Sequence, residues 1–255
     1  MLVPHQFKKD KLDIMLFENR KALGETAAKM VSDKVKALLL AKEDINVIFA
    51  AAPSQSEFLN SLAGDSTIPW SNINAFHMDE YLGLSEASSQ LFGNFLRRQL
   101  FDRVPFRSIS YLNGNASDTK AECERYTKLL AQHPPDIVCM GIGENTHIAF
   151  NDPHVANFHD PDMIKVVTLD HACRQQQVND GCFKTLAEVP RHALTLTIPA
   201  LMQASYIYCM VPGKNKEQAV LHTLDQPISE VYPSTILKKH DAAILFVDKD
   251  SHCLL

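Results

Sequence analysis

Asp136-Ile-Val-Cys-Met140-Gly141-Ile-Gly143-Glu-Asn145-Thr-His147 is the stretch on which the fold reading turns. It is a strongly apolar run that empties into a polar, glycine-containing loop. A short apolar run ended by a turn signal reads as a buried strand. The same unit repeats in both directions. Towards the N-terminus, Asp118–Gln132 reads as a helix with Ser117 as N-cap. Ser108–Leu112 reads as extended and Gln90–Phe101 as helical. Ile73–Phe76 is a strand that runs into His77-Met-Asp79-Glu80-Tyr81. Before it come a helix from about Glu57, a strand over Ile45–Ala51, a helix from Arg20 to about Lys42 and a strand over Leu12–Phe17. Towards the C-terminus, Lys165–Leu169, Ala193–Leu196, Tyr206–Val211 and Ala243–Val247 read as strands, and Lys214–Leu221 as the clearest helix.

Strand, helix and strand in succession mean parallel pairing through crossovers. The expectation is one domain over residues 1–255. It is a doubly wound, Rossmann-like α/β fold with a mainly parallel central sheet. Ligands of such folds sit beyond the carboxyl ends of the strands. The loops after Ala51, Phe76, Met140 and Val211 are therefore where chemistry is expected.

Composition narrows the classes. The chain has 255 residues, a formal net charge of −5 and 45% hydrophobic residues. Beyond Lys8-Lys9 and Lys238-Lys239 there is no basic cluster, so nucleic acid is not expected as a partner. Net charge does not exclude an anionic ligand, because one phosphate is held by local donors. Cysteines at 123, 139, 173, 182, 209 and 253 form no C-x-x-C pair, and Cys139 and Cys209 read as small buried hydrophobes. Unpaired spacing points to a reducing compartment. Residues 1–10 lack the basic-then-apolar order of a signal peptide, and no stretch approaches the length of a membrane span. A soluble, cytoplasmic protein without a membrane partner is expected.

Four loops carry candidate chemistry. In Phe76-His-Met-Asp79-Glu80-Tyr81-Leu-Gly-Leu84, two adjacent acids close an apolar strand. A carboxylate there serves as a general base if desolvation raises its pKa, while the plain reading is a helix cap or surface pair. In Gly141-Ile-Gly143-Glu-Asn145-Thr-His147-Ile-Ala-Phe-Asn151-Asp152-Pro153, the glycines let backbone approach a ligand. His147 can shuttle protons, and Asn145 and Asp152 flank it. The competing reading is a structural His bonded to Asp152. A dinucleotide fingerprint fails here because Thr146 stands where G-x-G-x-x-G needs glycine. In Ala50-Ala-Ala-Pro53-Ser54-Gln55-Ser56-Glu57, Ser54 and Glu57 have capping-box spacing, and the helix start offers N–H groups and hydroxyls to a phosphate or merely a cap. In Val211-Pro-Gly213-Lys214-Asn215-Lys216, a lysine at a helix start opposes the dipole unless an anion is near; otherwise it is simply solvated. His154 and His159 match no common metal-ligand spacing, and no metal is expected.

The motifs at 76–84 and 141–153, in that order, resemble the glucosamine-6-phosphate deaminase family, which includes related sugar-phosphate isomerases. Leu112–Ala116, Pro190–Leu201 and Gly213–Lys216 agree with it, so the likeness runs over nearly the whole chain. The resemblance implies roles. Asp79 matches the base that moves a proton between C2 and C1. His147 matches the residue that opens the pyranose ring by delivering a proton to the ring oxygen. Asn145 and Asp152 match positions that orient that histidine. Ser54, Gln55, Ser56, Glu80, Gly141, Gly143 and Lys216 fall where substrate and phosphate are bound. The implied reaction gives fructose 6-phosphate and ammonia with neither cofactor nor metal.

The chain departs from the family at named places. Asn145 stands where Asp is common, Asp152 where Glu is, and Thr146 where Gly is usual; Thr there is expected to limit access to positive φ. The turn Pro53-Ser-Gln-Ser56 is not glycine-rich. The family's phosphate-binding Arg has no match in 175–182, with Arg174 nearby. Two other readings are a galactosamine-6-phosphate enzyme or another sugar-phosphate isomerase, and a non-catalytic sugar-phosphate sensor. A homo-oligomer is compatible with everything above.

Overall fold

The computed structural model describes residues 5–252. Met1–Pro4, part of the N-terminal reading above, and Cys253 lie outside the described residues. The strands are β1 (His5–Lys9), β2 (Leu12–Phe17), β3 (Ile45–Phe49), β4 (Ile73–His77), β5 (Asp79–Tyr81), β6 (Ser108–Ser110), β7 (Ile137–Met140), β8 (Ile164–Thr168), β9 (His192–Leu196), β10 (Tyr206–Val211) and β11 (Ala243–Asp248). The helices are α1 (Arg20–Leu39), α2 (Ser56–Ala63), α3 (Phe92–Leu96), α4 (Thr119–Gln132), α5 (His171–Asn179), α6 (Ile198–Met202) and α7 (Glu217–Asp225).

Eight strands form the central sheet in the order β1-β2-β11-β10-β7-β3-β4-β6. Every pair is parallel except β1 with β2. The inner strands are apolar on both faces, and strand alternation sends successive residues to opposite sides. Ile45, Val47 and Phe49 of β3 join Leu23, Ala27 and Val31 of α1 and Phe58 and Leu62 of α2 in one core cluster. Ile48 faces the other way, into a cluster with Tyr126 and Leu130 of α4, Leu201 of α6 and Val220 and Leu224 of α7. Helices thus cover both faces, as the doubly wound reading requires.

From β3 the chain moves outward through β4 to β6. It returns to β7 on the other flank of β3, then moves outward through β10 to β11. The strand order therefore reverses between β3 and β7, and the loops leaving these two strands open a crevice there.

The structure corrects several local expectations. Lys165–Leu169 and Ala193–Leu196 do not join the parallel set; as β8 and β9 they pair antiparallel with each other, and β9 with β5, in a separate three-stranded sheet. Asp118, not Ser117, caps α4, accepting from the Lys120 and Ala121 N–H groups at 2.9 and 3.0 Å. The Ser54–Glu57 capping box does not form: α2 follows a 3₁₀ turn over Pro53–Gln55 without a side-chain cap. Glu57 is drawn instead to Arg20, with Nη2 2.8 Å from Oε2. The helix expected over Gln90–Phe101 is α3 followed by a π turn at Arg97–Phe101. Cys139 and Cys209 are buried, as expected of small hydrophobes. Among the described residues no helix is long and apolar enough to cross a membrane.

Candidate active site

The crevice at the switch point is lined by the loop after β3 (Ala50–Ala52 and Ser54), by Met78 and Asp79, by Gly141–Gly143 and His147, and by Gln176, Gln177 and Lys216. Phe92, Ala149 and Phe150 give it an apolar wall. Three of the four loops singled out in the sequence meet here directly, and the fourth contributes Lys216.

Asp79 arrives because β4 ends at His77 and the chain turns at once into β5, which is held by β9. Its carboxylate is buried, accepts no hydrogen bond among the described residues, and lies beside Glu80. Burial, reinforced by the Glu80 charge, pushes its pKa well above the usual carboxylate range.

His147 is fixed from behind. Its Nδ1 lies 2.6 Å from Asn145 Oδ1 and 3.0 Å from Asp152 Oδ1. Both oxygens are acceptors, so Nδ1 carries the proton and Nε2 is the lone-pair nitrogen left for the cleft. Asp152 is fully buried. Burial alone would raise its pKa, but the His147 hydrogen bond, the attraction of that ring when protonated, the Asn145 amide and the Asp170 N–H hold it below the ordinary value. Gly143 is required by contact: a Cβ there would lie 2.1–2.3 Å from the His147 ring atoms. Thr146 adopts φ 69° despite its branched side chain, against the expectation that Thr would restrict the loop. It is buried and pinned: its N–H donates to the Gly143 carbonyl and its own carbonyl accepts from Ser234, each at 2.9 Å.

Lys216 is placed by Gly213, whose φ of 96° turns the chain after β10 into a 3₁₀ turn over Lys214–Lys216. Lys216 is buried, and Nζ has no hydrogen-bond or ion-pair partner among the described residues. Burial lowers its pKa, while the more distant Asp180 and Glu144 charges act to raise it. An unpartnered ammonium in a cleft is costly until an anion pairs with it. Ser54 Oγ accepts from Gln55 Nε2 at 3.2 Å, which leaves its hydroxyl proton available to a ligand.

Other sequence candidates lie elsewhere. Glu80 points away from the crevice and accepts from the N–H groups of Tyr81, Phe92 and Gly93 at 2.9, 3.0 and 2.9 Å. It serves as a backbone tie. Gln55 is also a tie: its side chain is buried and Nε2 donates to the Met210 carbonyl at 3.1 Å. Ser56 begins α2 and is outside the lining. Arg174 donates to the Leu186 and Val189 carbonyls, joining α5 to the following loop rather than facing the crevice. Gln176 and Gln177, which the sequence reading did not single out, line the crevice instead. Gln176 Oε1 accepts from the Glu144 N–H at 2.8 Å. The only sequence signal for them was an absence, the unmatched arginine.

Among the described residues, two groups of metal-ligand type are present. His147, Asp152 and Cys173 offer ligand atoms within 4.8 Å of one another, as do Asp152, His154 and Asp170. In the first, the histidine Nδ1 is already engaged by Asn145 and Asp152. In the second, His154 Nε2 lies 2.9 Å from the Thr168 carbonyl.

Comparison with known proteins agrees with this arrangement. Residues 18–246 match the family described as glucosamine-6-phosphate isomerases/6-phosphogluconolactonase. The chain is 31% identical over 240 residues to the glucosamine-6-phosphate deaminase of Bacillus thuringiensis (strain Al Hakam), covering 94% of this chain and 88% of that one. The Bacillus cereus (strain AH820) glucosamine-6-phosphate deaminase gives the same identity and coverage. A solved monomeric glucosamine-6-phosphate deaminase superposes with a TM-score of 0.84 at 28% identity, covering 93% of this chain and 98% of the other. The 6-phosphogluconolactonase of Thermotoga maritima shares the fold, with a TM-score of 0.75 at 20% identity over 92% and 99% of the two chains. The crevice at the strand-order reversal, with its acid, histidine and lysine, and the match over most of the chain lead to one placement: the protein belongs to the glucosamine-6-phosphate isomerase/6-phosphogluconolactonase family.

Proposed function

We propose that this protein is an enzyme that converts glucosamine 6-phosphate and water to fructose 6-phosphate and ammonia. The observation that carries the reading is the Asp79 carboxylate: buried, without a hydrogen-bond donor, its pKa raised, and in one crevice with His147 and Lys216. Moving a proton between two adjacent carbons needs such a base, one that holds the proton briefly and returns it.

The geometry supports the following roles. Lys216 and the Ser54 hydroxyl take the phosphate. His147 Nε2 accepts the anomeric hydroxyl proton and returns it to the ring oxygen as the C1–O bond of the ring breaks. Asp79 removes the C2 proton to give an enolamine and delivers it to C1, which leaves a ketimine at C2. Water adds to that carbon and ammonia leaves. Asn145 and Asp152 hold the imidazole in the required tautomer, and Gly141 and Gly143 let backbone come close to the sugar. The deaminases among the relatives, aligned over most of their length, support the same reaction.

Incubation of the pure protein with glucosamine 6-phosphate, galactosamine 6-phosphate and 6-phosphogluconolactone tests this reading. Ammonia and fructose 6-phosphate in equal amounts from the first substrate is the expected result. Turnover of only the galacto epimer would keep the chemistry and change the substrate. Hydrolysis of the lactone alone would overturn the proposal. Tight sugar-phosphate binding without any product would make the protein a sensor.

A further inference from the structure

Asn145 is a member of the histidine network whose orientation its own shape does not fix. An amide's oxygen and nitrogen ends are nearly isosteric, and reversal would set an NH₂ against the His147 Nδ1–H. The surroundings forbid it. Asn145 Nδ2 donates to Asp152 Oδ1 and to Asp170 Oδ2, each at 3.0 Å. Asp152 does not decide the matter alone, because the same Oδ1 also receives the imidazole Nδ1 at 3.0 Å. Asp170 meets only the amide nitrogen. Its other oxygen accepts the Cys173 N–H at 2.6 Å, and its own N–H donates to Asp152 Oδ2 at 3.2 Å.

We infer that Asp170 is a positioning residue for the reaction: by accepting from Asn145 Nδ2 it turns the amide oxygen onto His147 Nδ1 and keeps the lone pair of Nε2 facing the crevice. Its side chain acts on the imidazole through Asn145; its backbone N–H, which the substitutions below leave in place, anchors Asp152. The inference rests on the function proposed above for its kinetic readout, but not for its structural one.

The plain account of Asp170 is that it caps α5. Serine separates the two roles. Asp170→Ser keeps an oxygen for the Cys173 N–H and so keeps the cap, but removes the carboxylate that holds the amide. A second substitution makes the test specific. In the intact chain, Asn145→Asp brings a third carboxylate within hydrogen-bond distance of two others and removes the proton donor between them, which is repulsive. In the Asp170→Ser background only Asp152 remains to oppose the new carboxylate, and the same change is less costly. A carboxylate needs no orienting, accepts from Nδ1 with either oxygen, and meets a serine hydroxyl in place of a charge.

The experiment measures kcat, KM and melting temperature for the wild type, Asp170→Ser, Asn145→Asp and the double variant, together with ¹⁵N spectra of the His147 imidazole. Each single substitution is expected to lower kcat about tenfold or more, as misplaced catalytic groups do. KM should move little, the melting temperature of Asp170→Ser should hold, and the double variant should recover most of the lost kcat. The ¹⁵N spectra should show Nδ1–H in the wild type and a mixture of tautomers in Asp170→Ser. An Asp170→Ser protein with wild-type kcat and tautomer overturns the inference. So does a loss of kcat that falls with the melting temperature and is not restored in the double variant, because that is a helix cap alone. If the wild type releases no ammonia, the function proposed above fails, and the imidazole spectra alone decide the role of Asp170: an unchanged tautomer in Asp170→Ser overturns it.

Discussion

Asp79 and Glu80 are neighbours in one strand and have opposite surroundings. Alternation along β5 turns one to the crevice and the other to backbone N–H groups. Asp79 therefore carries a cost the fold does not offset. For an acid whose folded pKa lies above its unfolded value, the stabilising contribution is complete below the unfolded pKa and is lost as pH rises through the folded one. Asparagine does not titrate. Asp79→Asn is expected to match the wild type in urea unfolding at pH 4, and to exceed it at pH 8, while kcat falls about 10²- to 10⁴-fold. A variant less stable than the wild type at pH 8 would contradict the unpaired, buried carboxylate. At this scale the sequence was informative where a polar residue follows an apolar strand: Asp79, His147 and Lys216 all meet in the crevice. It was uninformative where a polar side chain is occupied by a distant backbone group. Gln55 on Met210, and Arg174 on Leu186 and Val189, read in sequence like any other ligand candidates.

Elements hold the site through a few such ties. Glu80 joins the start of β5 to the first turn of α3, which brings Phe92 to the crevice wall. Its burial raises its pKa to about 7, with the N–H groups of Gly93, Phe92 and Tyr81 opposing that rise. Glu80→Ala would leave three buried N–H donors without an acceptor and is expected to cost about 2–4 kcal/mol in equilibrium unfolding. A loss under about 1 kcal/mol would mean that water reaches those donors readily and that the tie is weak. The helices and strands on either side of β7 were legible because their apolar spacing is local. The small antiparallel sheet was not. Val166 and Val167, or Ala193 and Leu194, make the same short apolar runs as the parallel strands, and nothing local to them names β5 as the neighbour of β9. The three residues of β5 are strand only because β9 lies beside them.

The whole molecule places the Lys216 ammonium, unpartnered among the described residues, where the strand order reverses. Loops from β3, β7 and β10 converge there, so the proposed anion site is a consequence of topology before it is one of residue choice. Stability is given up for it. Lys216 is a base whose folded pKa is depressed by burial, so its contribution is whole above the unfolded value and lost as pH falls through the folded one. Below that folded pKa the ligand-free protein therefore bears the cost in full. Lys216→Met keeps the aliphatic stem and removes the charge, and it is expected to raise the melting temperature at pH 7 by about 2–4 °C for each kcal/mol recovered. A phosphate-bearing ligand has the opposite effect on the two proteins. Inorganic phosphate or a sugar phosphate should raise the wild-type melting temperature with concentration, by mass action on the folded state, and leave Lys216→Met unmoved. Scanning fluorimetry of both proteins across a phosphate series separates the cases. A variant that melts below the wild type without phosphate would show that Lys216 has a stabilising partner. A variant that keeps the phosphate-dependent rise would move the anion site to the Ser54, Gln176 and Gln177 side of the crevice.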